Sequence, residues 1–245
     1  MKRNQHGVSR KFRTSTSILL LAFILYRCGL LSEATTVTVD TGWITLGFDT
    51  ASLGIQTNAS SPNLPTIQCS NENDTCEDMN QSIQCDSAAS PPCTFDCGGN
   101  GTCALHTQLS GTIPVDLSSQ IQSQTQSKAI DKVNLDRINL NTVTNTLNMD
   151  LPQVSLYVGP ASAASPTDPG VVLFATLPPI KSKEIKNVAI PVTDAGKAAL
   201  SSFIKNYKSP FRILQQAPLT FSGGVALPQN ALEIKIKAYF QVELL

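Results

Sequence analysis

Between Thr35 and Leu117 the chain has no lysine or arginine, against nine aspartates and glutamates. Nucleic acid is not an expected partner, because the chain beyond residue 34 is acidic overall and aromatic residues hardly interleave with its lysines. Histidine is nearly as scarce: there are two in 245 residues, and only His106 lies beyond position 34. G-x-S-x-G and H-E-x-x-H are both missing and no catalytic residue stands out, so the chain reads as a non-enzyme without a cofactor. The single tryptophan, Trp43, falls at a turn between two strand-like runs. A ring of that size usually buries most of its surface, which predicts a rim or core anchor rather than an exposed platform. The longest apolar run near the N-terminus, Ile18–Tyr26, has nine residues. A spanning helix needs about 20.

That run follows Lys2, Arg3, Arg10, Lys11 and Arg13, and the whole has the proportions of a secretory signal. Small residues at Ser32 and Ala34 place the expected cleavage after Ala34. Two other outcomes stay open. Cys28-Gly29-Leu30 partly matches a bacterial lipoprotein signal, with Arg27 where a small residue belongs. Alternatively, Ile18 to Leu31 stays uncleaved as an anchor, with Arg27 snorkelling. The expected location is secreted, periplasmic or cell-surface, with the membrane reached only through this segment. Residues 1–34 hold six bases and one acid, so the remainder carries 12 bases and 17 acids, a net of −5. From Ser118 onward the balance is +4, and Lys181, Lys183, Lys186, Lys197, Lys205, Lys208 and Arg212 make a solvated basic face.

Cysteine is absent outside residues 69–103 except for Cys28, and within that window Cys69, Cys76, Cys85, Cys93, Cys97 and Cys103 are spaced C-x6-C-x8-C-x7-C-x3-C-x5-C. Large apolar residues are few there: Ile67, Met79, Ile83, Phe95 and Leu105 over Thr66–Thr107. So small an apolar content calls for cross-links. Three disulfides are expected, in any of fifteen pairings. Zinc is the competing reading, although C-x2-C knuckles are lacking and His106 is the only nearby histidine. Glu72, Asp74, Glu77 and Asp78 form the densest acidic stretch and are the candidate calcium ligands, without the EF-hand pattern. Cys97-Gly-Gly-Asn-Gly-Thr-Cys103 reads as a tight, disulfide-closed turn. The sequons at Asn58, Asn73, Asn80 and Asn100 would be surface glycosylation sites in a eukaryotic host.

The rest alternates at period two. Val37–Val39 and Ile44–Phe48 read as strands, Asn58–Pro65 as a linker, and Ser118–Lys128, with glutamine at every second position from 120 to 126, as a loop or exposed strand. Val133, Leu135, Ile138 and Leu140 change phase at Arg137-Ile138, which suits a bulge. Val171–Ala175 reads as a fully buried strand, Val188, Ile190 and Val192 as a half-buried one. One helix, over about 193–207, is capped by Thr193 or Asp194 and stopped by Pro210. In Leu232–Leu244 seven residues face one way at period two, which demands a partner sheet.

Leu156-Tyr-Val-Gly-Pro160, Ile190-Pro-Val-Thr193, Gly196–Leu200, Phe203–Asn206, Pro210-Phe211, Ser222–Gly224, Leu227-Pro228 and the closing strand together resemble secreted β-sandwich proteins of the late-embryogenesis-abundant, water-stress type, over residues 130–245. The resemblance implies a non-catalytic fold of fibronectin-like shape and passes on no functional residues. The expected organisation is a signal peptide (1–34), N-terminal strands and linker (35–68), a cysteine-rich module with three disulfides (69–103) and an Ig- or fibronectin-like β-sandwich (104–245), mainly β. The expected role is a structural or interaction protein of the cell surface or envelope with an unidentified protein or envelope partner. The alternative is a ligand-binding protein, with calcium in the acidic stretch or an apolar molecule between the sheets.

Overall fold

The computed structural model describes residues 35–53, 55–57, 63–69, 76–85, 93–98 and 101–245, and those residues form two packed antiparallel sheets, a two-stranded ribbon and three short α-helices. In sheet I, β1 (Thr35–Asp40) and β2 (Ile44–Asp49) lie one after the other along one edge of β12 (Ala231–Leu244). Its other edge pairs with β7 (Ile130–Asn145), and β10 (Asn187–Ile190) lies beyond. Sheet II runs β5 (Thr94–Cys97), β6 (Cys103–Val115), β11 (Phe211–Ser222), β8 (Val154–Pro160), β9 (Val172–Leu177). The ribbon is β3 (Ile55–Thr57) with β4 (Ile83–Cys85). The strands before the cysteine module therefore share a sheet with the last strand of the chain.

β12 buries all seven of its even-numbered side chains, Leu232 through Leu244, as its alternation requires. β7 follows it with three register shifts, which leave Asp131, Asp136 and Val143 without an opposite residue. The Asp136 bulge lies one residue before the phase break seen in the sequence. It lets Val133 and Ile138, which differ in parity, both point inward, at 9% and 1% exposure.

Helix α3 (Asp194–Lys205) occupies the expected segment, and Thr193 Oγ1 accepts the Gly196 N–H at 2.9 Å as its N-cap. It closes the sandwich against β9, where a Cβ on Gly196 would meet the Phe174 Cα at 2.4 Å. Backbone cannot yield as a side chain can, so Gly196→Ala is expected to lower stability by about 1–3 kcal/mol and the melting temperature by roughly 2–10 °C. A thermal melt checks this; an unchanged melt would mean that the helix seats farther out.

Four expectations change. Ser118–Thr125 is a helix, α2, instead of a loop or exposed strand. Glutamines spaced by two also contain an i, i+4 pair, and Gln120 and Gln124 share a helix face on Asp40 while Ile121 and Thr125 are buried. A further short helix, α1 (Glu77–Ser82), lies in the cysteine module, so the helix near residue 200 is not alone. Leu173 in β9 and Val188 in β10 are 36% and 38% exposed, because these strands lie at sheet edges where one face stays uncovered. Finally, Leu64 is no linker residue: it is buried, and exchanges backbone hydrogen bonds with Val225 and Gly224 at 2.9 Å each.

The module solves its shortage of apolar residues by sharing. Met79, Ile83, Cys76 and Cys103, each at most 2% exposed, belong to the same continuous core as Leu105 of β6 and the sandwich interior.

Candidate functional site

Among the described cysteines, Cys69 is bonded to Cys97 and Cys76 to Cys103, and Cys93 is also disulfide-bonded. The side chain of Cys85, in β4, lies outside the described residues. The glycine turn is thus not closed by its own cysteines. Cys97 and Cys103 face each other in the β5–β6 hairpin but bond elsewhere, and the turn is held by Gly98 N–H to Thr102 O at 2.9 Å. The sulfurs of Cys69, Cys76 and Cys103 come within 4.8 Å of one another. They do so as neighbouring disulfides, and a metal ligand must be a thiolate. Of the calcium candidates, Glu77 and Asp78 are exposed in the first turn of α1, where carboxylates suit the helix dipole. Glu72 and Asp74 lie outside the described residues, as do Asn58, Asn73 and Asn100, while Asn80 falls in α1 rather than in a loop.

One polar constellation was not legible in the sequence. Asp96, His106 and Thr220, from β5, β6 and β11, are linked across sheet II, Thr220 directly opposite His106 and Asp96 on the diagonal, with His106 Nε2 2.8 Å from Asp96 Oδ1 and Nδ1 3.0 Å from Thr220 Oγ1. The order hydroxyl, imidazole, carboxylate is that of a hydrolytic relay. Yet the His106 and Asp96 side chains are 36% and 57% exposed, so water screens each bond, and a dry, shaped site is what such chemistry needs. The row ties three strands together as a cross-strand ladder.

A second organised surface lies on sheet I, and it is built around the break between β1 and β2. Both strands need the same edge of β12, so the chain must step outward and return between Asp40 and Ile44. Thr41 bridges the gap: its N–H donates to Ala238 O and its Oγ1 accepts the Ala238 N–H, both at 3.1 Å. Gly42 follows at φ +63°, and its N–H donates to Asp40 Oδ1 at 2.7 Å. Gln120 and Gln124 of α2 fasten the Asp40 backbone with bonds of 2.8–3.1 Å. The step turns Trp43 outward, 49% exposed, which overturns the expected rim or core anchor. Sequence could not show that the indole is set by a chain crossing rather than by strand parity.

Beside it runs a stack. Lys237 Nζ lies 5.9 Å from the Trp43 ring centre and 5.3 Å from that of Tyr239, and the Arg137 guanidinium covers Tyr239 at 4.2 Å. Lys237 also pairs with Asp40 at 3.2 Å, and Arg137 with Asp136. The charges on this face are matched: Lys235 pairs with Glu233 at 3.7 Å and Lys132 with Glu243 at 3.5 Å. What the stack can do chemically is present a fixed aromatic surface at low entropic cost, since its long side chains are already held. No protein-family model matches this chain, and no curated protein is significantly similar to it, so the reading of its function rests on this surface and on the disulfide-bonded β fold.

Proposed function

We propose that this is a non-catalytic, exported interaction protein of the cell surface or envelope, an Ig- or fibronectin-like sandwich whose working surface is the Trp43 face of sheet I. The observation that carries the reading is Trp43 itself, half exposed and yet held by a dedicated crossing. An exposed ring of this kind is typical of interaction anchors. Disulfides accord with export, because they persist in oxidising compartments. The likeness of residues 130–245 to water-stress β-sandwich proteins points the same way, since it implies a non-catalytic shape.

Ligand binding is the second reading. An apolar guest between the sheets is the weaker form of it, because the cavity among Ile138, Phe174, Leu200 and Phe240 has about 20 Å³, space for a water molecule. Calcium in the acidic stretch is tested by the melting temperature with millimolar calcium against chelator, where a rise supports it and coincident curves remove it.

The interaction reading predicts that the purified protein is retained on envelope fragments of the cells that make it, and that Trp43→Ala abolishes retention while its melting temperature stays unchanged. Equal retention of both proteins would move the working surface elsewhere, and no retention of either would remove the reading.

A further inference from the structure

The Trp43 face carries a second feature, in the strand beside the stack. Asparagine is depleted from strand interiors because it fits the pleated surface poorly. Yet Asn134, Asn139 and Asn141 stand on β7, and Asn187 lies opposite Asn141 on β10. Among the described residues none of these four side chains has a hydrogen-bond partner. Asn145 of the same strand shows the contrast: it is buried, and its amide donates to Lys181 O and Glu184 O at 2.8 and 3.1 Å. Asn145 is explained by the fold, whereas the other four cost strand propensity and satisfy nothing within it. Local choices that oppose the fold without an internal return mark functional positions.

Register places these amides on the same side as the stack. Asn139 is opposite Lys237, Asn141 opposite Lys235, and Arg137 opposite Tyr239, while Thr45 of β2 completes the Lys235 row. The result is a face of adjacent strands about 4.8 Å apart, with an indole on one side and amides on the other. Each amide offers two donors and an acceptor. The bases of this face are each matched by a carboxylate, so it has no surplus charge to attract a polyanion.

A ligand that fits has apolar patches to lie on the indole, hydroxyls at regular spacing to pair with amides, no charge, and enough length to cross several strands. We infer that sheet I binds a neutral polysaccharide chain, with Trp43 stacking on the C–H face of a sugar ring and Asn139 and Asn141 bonding its hydroxyls. The inference rests on the Trp43 face being the working surface and names the class of its partner.

Trp43 is the only tryptophan, so emission reports on the site alone. The protein is titrated with soluble hydroxyethyl cellulose, xylan and galactomannan, with dextran sulfate as the anionic control. A saturable shift in emission is expected with at least one neutral polymer and none with dextran sulfate. Trp43→Ala, read by retardation in gels containing that polymer, and Asn139→Thr combined with Asn141→Thr are each expected to weaken binding by about tenfold or more. The threonine variant is expected to melt at the same or a higher temperature, which separates lost contacts from lost folding. Retention on envelope fragments is measured in parallel after periodate, which cleaves vicinal diols, and after protease. Loss with periodate and survival of protease is expected. Trp43-dependent retention that survives periodate but not protease, with the neutral polymers silent, would overturn the polysaccharide while leaving the surface reading intact. Silence in every arm removes both.

Discussion

Phe240→Ala is expected to reduce the unfolding free energy by about 3–5 kcal/mol. Phe240 is fully buried on β12, beside Ile138 of β7, Phe174 of β9, Leu200 of α3 and Phe211 of β11. It therefore meets both sheets and the helix that closes them, and the space already open among these residues is only about 20 Å³. Truncation opens a cavity that rigid strands on three sides cannot collapse, so both the transfer and the cavity contributions are lost. In a domain with a total stability of about 5–15 kcal/mol, a loss of that size removes a large share of the total. Urea unfolding followed by far-ultraviolet circular dichroism measures it, and a loss below about 1 kcal/mol would mean that Phe240 is not the meeting point of the two sheets. Its neighbour Tyr239 provides the control. That ring points to the outer face under Arg137, so Tyr239→Ala is expected to cost little stability and to disturb the Trp43 stack instead.

Removal of the Cys76–Cys103 bond by replacing both residues with serine is expected to cost about 3–4 kcal/mol, from the loop entropy of a 27-residue separation. The consequence should reach past the module. Cys103 opens β6, which pairs with β11 along its whole length, and Met79 and Ile83 pack into the shared core from the module side. Once released, the module has too little apolar surface of its own to stay folded. The Cys69–Cys97 loop interlocks with the first, sharing residues 76–97, so the loss of both bonds should fall short of the sum of the two losses. Limited proteolysis with mass analysis is the check. Cleavage confined to residues 66–103 in the variant, but not in the parent protein, is the expected outcome. Equal resistance in both proteins would show that the sandwich alone holds the module in place.

The strand pattern of β12 was legible because burial on one face imposes period two, and any other register would place seven apolar side chains in water. The bulge in β7 was legible to within one residue for the same reason, since a phase change between Val133 and Ile138 has few other solutions. The helix over Ser118–Thr125 was not. Its glutamines satisfy both a two-residue and a four-residue repeat, and only the position of Asp40, some 80 residues earlier, decides which repeat has a partner.

By itself, the sequence determined the inward faces of β7 and β12, a helix that starts at Thr193 or Asp194, the confinement of cysteine beyond residue 34 to one segment and the absence of cations from residues 35–117. These follow from local periodicity, from spacing and from composition, which neighbours in the chain suffice to express. The tertiary structure decided the rest: which cysteines bond, that β1 and β2 share the edge of β12, and that Trp43 faces outward beside Lys237 and across the strands from asparagines with no side-chain hydrogen-bond partner among the described residues. Each of these depends on residues tens to hundreds of positions apart being brought within a few ångströms. No local pattern carries that information, because it arises from the way the strands pair.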